Sequence, residues 1–369
     1  MEMTSVQAAV LREENGAFQI EELQLAAPRE LEVLVRIVAT GMCHTDAAVR
    51  SRDIGTPLPV VVGHEGAGVV VAVGSAVRKV APGDHVVLTF NSCGQCAACL
   101  SGELAKCELS FPLNLRGARL DGSHALQCAH GEIHDQFFGQ SAFATYALAQ
   151  ERNTVKVPHD VPLELLGPLG CGIMTGSGAV LNSLRVGPGQ SLVVFGSGAV
   201  GLAAVMAARV AGATTIIAVD IVTSRLDLAL ELGATHVIDS HDGDLVARIM
   251  DITGNGADFT LDTTGRADVM QMAVAGLRIG GTCGILGVSP PGTSLAIDTN
   301  LFIGMSRQLR GILAGDSVPD VFIPQLIALY RQGRFPFDRL IRFYTLADIN
   351  QALADSEAGI AIKPVVRVG

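Results

Sequence analysis

Residues 186–208 carry no charged side chain and are bounded by Arg185 and Arg209. The stretch is long enough to cross a bilayer, which takes about 20 apolar residues, so its internal order decides what the chain can become. Gly187-Pro188-Gly189 reads as a turn, residues 190–195 as a short buried strand, and Gly196-Ser197-Gly198-Ala199-Val200-Gly201 interrupts the run before a helix begins. A lipid-facing segment must satisfy all its backbone groups within one helix, and this pattern breaks such a helix twice. The prediction is a strand, a glycine loop and a helix inside a folded domain. On that reading, 49% hydrophobic residues, only 17% charged residues and a mean hydropathy of +0.41 describe a large buried core.

A chain of 369 residues accommodates two domains. Its 26 basic and 36 acidic side chains give a net charge of −10, which argues against nucleic acid and anionic membrane as partners. The first 14 residues hold acidic groups and no apolar signal core, so a cytoplasmic location is expected.

Up to about residue 87 the chain alternates short Val/Ile/Leu runs with Gly, Pro and Asp turns, as at 32–39 and 66–73, which predicts a compact, mostly β domain. From about residue 172 strand and helix alternate. Strands are predicted at 192–195, 215–220, 236–239, 259–262 and 282–286, and helices at 200–211, 224–232, 244–252 and 267–277. Such βα repetition implies a parallel sheet covered by helices on both faces, an α/β architecture. A helix over 318–332 and a strand over 360–368 would return the chain to the first domain.

Of eight cysteines, four crowd together as Cys93-Gly-Gln-Cys96-Ala-Ala-Cys99 and Cys107. In a reducing compartment clustered thiols bind metal more often than they form disulfides, and four thiolates on a short loop suit a closed tetrahedral zinc site. An iron–sulfur motif would place its fourth cysteine three residues on and follow it with proline. Here seven residues intervene and Glu108 follows, which favours zinc.

The Gly196, Gly198, Gly201 triplet between a strand and a helix is placed to meet a pyrophosphate with backbone N–H groups and the helix dipole. Asp220, at the end of the next strand, is placed to hold ribose hydroxyls and repel a ribose phosphate, which predicts NAD over NADP; Arg225 is a further candidate at that ribose. Cys43, His64-Glu65 and Cys171 stand apart in sequence, each beside glycines. Singly each has an ordinary reading as a core or polar group. Together they supply two thiolates and one imidazole, a catalytic zinc set with an open fourth position.

Gly41-Met-Cys43-His-Thr45-Asp46, Gly63-His64-Glu65-Gly66-Ala-Gly68, the four-cysteine loop, Gly170-Cys171-Gly172 and the glycine triplet occur here in the order seen in the zinc-containing medium-chain alcohol dehydrogenases, which the whole chain resembles. Leu-Thr-Phe-Asn-Ser-Cys93, Phe137-Phe138-Gly139-Gln140-Ser141 and 165–171 look like the aryl (benzyl) alcohol dehydrogenase branch, whose relatives include geraniol and perillyl alcohol enzymes.

The resemblance implies a GroES-like catalytic domain, residues 1–172 and 313–369, around a Rossmann domain, 173–312, with the active site in the cleft. It implies two zinc ions per subunit, one on Cys43, His64 and Cys171 and one on Cys93, Cys96, Cys99 and Cys107. Asp46 would orient His64, and Glu65 would stand behind the metal. Thr45 would relay the alcohol proton as hydride passes to NAD. Many relatives continue the relay through a histidine where this chain has Ala48.

His44, Thr175, Val200, Val288 and Lys363 would join the glycines, Asp220 and Arg225 in holding the cofactor, and Thr89 or Phe90 would line the substrate pocket. The expected substrate is an aromatic or allylic primary alcohol, oxidised reversibly to its aldehyde by a homo-oligomeric enzyme. The runner-up is S-(hydroxymethyl)glutathione oxidation, and a crystallin-like NAD-binding protein without turnover is the reading from another class. Residues 108–140 are expected to be a long loop serving as lid or interface, with His124, His130 and His134 on its surface.

Overall fold

A computed structural model describes residues 3–129 and 131–368. The chain divides into two units. One comprises the chain up to Cys171 with Val318–Ile327 and the segment from Asp338; the other comprises Gly172–Ser317 and Ala328–Phe337.

The first unit is built on two sheets. In the larger, strands run in the order Ile341–Thr345, Lys363–Arg367, Glu32–Gly41, Glu65–Val73, His85–Leu88 and Thr154–Lys156, with Tyr146–Gln150 also paired to Glu32–Gly41. All pairs are antiparallel except the first. The smaller sheet orders Val60–Val61, Thr4–Leu11, Phe18–Leu25 and Leu126–Gln127. Val, Ile and Leu dominate Glu32–Gly41, eight of its ten positions are buried, and Val33, Leu34, Val35 and Ile37 join the apolar core of this GroES-like unit. Its register sets Gly41 opposite Glu65. A Cβ on Gly41 would lie 1.9 Å from Glu65 Oε2, so glycine there makes room for a buried carboxylate.

The second unit has a six-stranded parallel sheet in the order His236–Asp239, Thr215–Asp220, Ser191–Phe195, Ala257–Asp262, Leu277–Ile285, Gln308–Gly311. This is the Rossmann order, with its reversal between the first strand's two neighbours. The helix Ala199–Ala211 is buried continuously from Gly201 to Ala208, which accounts for the uncharged stretch. It ends at Gly212, whose φ of 83° is the left-handed cap that glycine adopts without strain. Among the described residues no helix is long and apolar enough to cross a membrane.

Two local expectations are corrected. The strand predicted at 282–286 runs Leu277–Ile285, and the helix predicted to reach 277 ends at Ala275, because the strand continues back past a register shift opposite Ala257. The segment 108–140 is not a bare loop. It holds the helix Ser110–Asn114, the strand Leu126–Gln127 and a 3-10 turn, Phe137–Gly139. A buried bidentate pair anchors it, Arg119 Nε to Glu32 Oε1 at 2.6 Å and Nη2 to Oε2 at 3.0 Å. His124 is largely buried, 2.9 Å from Glu132 and edge-on to His134 at 5.0 Å. His134 is half-buried, and His130 lies outside the described residues.

Candidate functional site

Three chain segments meet in the first unit. Cys43 precedes the short helix His44–Arg50, His64 precedes the strand Glu65–Val73, and Cys171 follows the 3-10 turn Gly167–Gly170. Ligand atoms of Cys43, His64, Glu65 and Cys171 all lie within 4.8 Å of one another. Asp46 fixes the first two segments. Its Oδ2 accepts from Cys43 N at 3.0 Å, and its Oδ1 from Gly63 N at 3.1 Å and from His64 Nδ1 at 3.0 Å. Both His64 and Asp46 are fully buried.

Because Nδ1 is committed to a carboxylate, the free lone pair of a neutral His64 sits on Nε2. Nε2 is buried and has no hydrogen-bond partner. A buried nitrogen left so is costly unless something unseen satisfies it, and a zinc ion among two sulfurs and this nitrogen would do so. The electrostatics agree. The hydrogen bond between the two thiols holds Cys43 well below the ordinary thiol range and pushes Cys171 well above it, as one proton serves two sulfurs. Burial opposes charge on His64, but Asp46 and the Cys43 sulfur together outweigh it and raise the imidazole, so a metal cation on Nε2 would take the place of a second proton. These residues fit zinc.

Glu65 does not stand alone. Lys363 Nζ donates to Glu65 Oε1 and Oε2 at 2.9 Å each and to Met42 O at 3.0 Å. The expected cofactor contact of Lys363 is therefore corrected: the ammonium is buried and its three donors are committed inside the unit. Burial pushes the Glu65 carboxyl up to about 7, opposed mainly by Lys363. Lys363→Met would remove that opposition and take the ammonium away from a buried acid. Losing one partner of a buried pair costs about 3–5 kcal/mol, so thermal denaturation should shift down by about 10 °C. An unchanged melting temperature would contradict the pairing.

Thr45 Oγ1 lies 3.6 Å from Cys43 Sγ, and His44 beside it is exposed. The pocket assignment of Thr89 is corrected as well. It is fully buried, and its hydroxyl donates to Gly170 O at 2.7 Å, so it lines no open surface; Phe90 is half-buried. The aromatic neighbours of the metal-ligand cluster lie elsewhere in the chain. Phe138 stacks on the His64 ring, centroids 4.5 Å apart at 26°, and Phe137 meets it edge-on at 5.5 Å. Sequence reasoning used this pair only as a likeness; the usable signal was two adjacent aromatics before a glycine in a polar segment.

Cys93, Cys96, Cys99 and Cys107 place their sulfurs within 4.8 Å of one another, with Cys93 and Cys99 at 3.9 Å. Tetrahedral zinc with bonds near 2.3 Å sets sulfurs about 3.8 Å apart. N–H groups of Gln95 and Cys96 point at Cys93 Sγ and lower its thiol to about 6, while burial pushes Cys107 up to about 12.

In the second unit the loop after Ser191–Phe195 has Gly196 at φ 91°. A Cβ on Gly201 would strike Gly196 O at 1.8 Å, whereas one on Gly198 would meet nothing within 4 Å. The helix thus sits tight against the loop while open space faces Gly198, room for a pyrophosphate to approach the backbone. Val200 follows in the helix's first turn. Asp220 accepts from Ser197 N at 2.6 Å and from Ile221 and Val222 N–H groups. Arg225 keeps a buried, unpartnered Nε. Thr175 is half-buried in the helix Gly172–Gly178, and Val288 is exposed.

Residues 29–159 match the alcohol dehydrogenase GroES-like domain family and 199–331 the zinc-binding dehydrogenase family. The chain is 49% identical over 364 residues to a geraniol dehydrogenase of Castellaniella defragrans, covering 98% of this chain and 97% of that one. It is 48% identical to the crystal structure of benzyl alcohol dehydrogenase from Acinetobacter calcoaceticus, at a TM-score of 0.97 over 99% of this chain and 100% of that one. A Burkholderia ambifaria structure, an alcohol dehydrogenase zinc-binding domain protein, is 56% identical at a TM-score of 0.98 over the full length of both. Cysteine ligand sets, glycine loop and full-length likeness agree: the chain belongs to the zinc-containing medium-chain alcohol dehydrogenase family.

Proposed function

We propose that the protein reversibly oxidises aromatic or allylic primary alcohols to aldehydes, with NAD as acceptor and two zinc ions per chain. The observation that carries this reading is the Cys43, His64, Cys171 cluster, its buried His64 Nε2 unpartnered and Phe138 stacked on the same ring. Zinc bound to the three ligands would acidify the substrate hydroxyl, and NAD would take the hydride.

The chain's own residues do the rest. Thr45, two residues after Cys43, is placed to receive the hydroxyl proton and pass it outward. With a buried Ala48 where relatives have histidine, the relay ends on another base, either water or a histidine from elsewhere in the chain. Asp46 keeps His64 in the tautomer that presents Nε2. Phe138, half-buried against His64 with the fully buried Phe137 behind it, is the aromatic side chain that suits a flat, conjugated substrate. The names of the geraniol and benzyl alcohol dehydrogenase relatives support the same substrate class.

Asp220 supports NAD, since its carboxylate would repel a ribose phosphate. The edge strand Gln308–Gly311, with Leu301, Ile303 and Leu313 exposed nearby in sequence, supports association with a second copy. The test is kcat/KM for benzyl alcohol, geraniol, cinnamyl alcohol, ethanol and S-(hydroxymethyl)glutathione, each with NAD and NADP. The expected result is fastest turnover of the conjugated alcohols and a preference for NAD of about tenfold or more, about 1.4 kcal/mol. Fastest turnover of ethanol or of the glutathione adduct would overturn the substrate class, and preference for NADP would overturn the cofactor.

A further inference from the structure

Asp46 ties Cys43 to His64, but its hydrogen bonds reach no part of the third ligand segment. A different chain of hydrogen bonds does. Gln140, 1% exposed, accepts from Gly66 N at 3.1 Å with Oε1 and donates to His64 O at 3.0 Å with Nε2, clasping the backbone on both sides of Glu65. The same Nε2 donates to Thr89 O at 3.2 Å. Thr89 Oγ1 then donates to Gly170 O at 2.7 Å, the carbonyl directly before Cys171. Asn153 Nδ2, at 3.1 Å from Thr89 O, holds the middle of the chain in place. The far end has no slack, since a Cβ on Gly170 would lie 2.1 Å from Leu88 O.

We propose that Gln140 and Thr89 are positioning residues that set the distance between His64 and Cys171, and so the grip of the three-ligand site on its metal. The proposal rests on the reading of Cys43, His64 and Cys171 as zinc ligands. The residue types bear it out physically. A fully buried position in an apolar strand end suits valine, which has threonine's shape; what threonine adds is a hydroxyl proton, and it is spent on the ligand segment. Glutamine at 140 uses both ends of its amide on the backbone of the His64 segment and reaches Thr89 O with the same Nε2. Both side chains act through backbone and touch neither metal nor substrate.

The test compares wild type with Thr89→Val, Thr89→Ser, Gln140→Leu and the Thr89→Val/Gln140→Leu double variant, all as full-length zinc-loaded protein. Zinc release to a chelator is followed together with the visible spectrum after cobalt substitution at the three-ligand site. Groups that orient metal ligands typically account for 10–100-fold in affinity. Thr89→Val and Gln140→Leu should therefore speed release of one zinc by about tenfold or more and shift the cobalt bands, while the second zinc, on the four cysteines, leaves at the wild-type rate. Thr89→Ser, which keeps the hydroxyl, should restore both readouts. The double variant should add less than the product of the singles, since both lie on one path.

Equal loss of both zincs, a wild-type release rate with an unshifted spectrum, or failure of Thr89→Ser to rescue would overturn the proposal. If Cys171→Ala leaves the zinc content of the protein unchanged, the ligand reading itself fails, a result separable from failure of the brace.

Discussion

Cys171→Ala is expected to leave the protein folded, to reduce bound zinc from two ions per chain to one, and to lower alcohol oxidation by at least about a thousandfold. Zinc lowers the pKa of a bound water from 15.7 to about 7, and each unit of such a shift is worth about 1.4 kcal/mol. A substrate hydroxyl deprived of even part of that assistance keeps its proton at neutral pH. The fold should survive because Cys171 joins its unit through backbone placement, and because the four-cysteine site holds its metal independently. Metal analysis by mass spectrometry and initial rates with benzyl alcohol check both halves. Two zincs retained, or activity within tenfold of wild type, would contradict the assignment of Cys171 as a ligand.

Cys99→Ala is expected to act on stability. Cys99 is buried, and its sulfur lies 3.9 Å from Cys93 Sγ. Three remaining sulfurs cannot complete a closed tetrahedron, so most of the binding free energy of a structural zinc is lost; in isolated zinc-finger peptides that amounts to about 10–16 kcal/mol. A domain's whole stability is about 5–15 kcal/mol, so local unfolding of the cysteine loop should limit the damage. A fall in melting temperature of about 10 °C or more, with one zinc kept at Cys43, His64 and Cys171, is the expected outcome. Unchanged melting would mean that the four thiols are only neighbours.

The two metal clusters contrast in how much of each was legible beforehand. Four cysteines within a short segment announce themselves, because few structural roles call for that many thiols on one loop. Cys43, His64 and Cys171 stand far apart, each with an ordinary reading alone, and became a candidate set only when taken together beside a dinucleotide loop and a separate cysteine cluster, with their order along the chain strengthening it. The βα alternation showed the Rossmann unit, since strands covered on both faces read as short apolar runs, as at 192–195 and 216–219, between helical segments. What stayed hidden depends on which groups meet through space. Thr89 was expected to face substrate but spends its hydroxyl inward on Gly170 O. Lys363 was expected to face cofactor but closes a buried pair with a residue 298 positions away. Phe138 and Gln140 lie in a segment that composition marked as loop, and their partners on His64 become visible only once the sheets bring the segments together.

On the proposed reading, hydride leaves the carbon of an alcohol held at this cluster and passes to NAD. Benzyl alcohol carrying two deuterium atoms on its hydroxyl-bearing carbon tests it directly, with the reduced cofactor weighed by mass spectrometry. One deuterium in each NADH, with deuterated benzaldehyde formed in equal amount, is the predicted result. Reduced cofactor without deuterium, or no reduction by fully zinc-loaded protein, would contradict it.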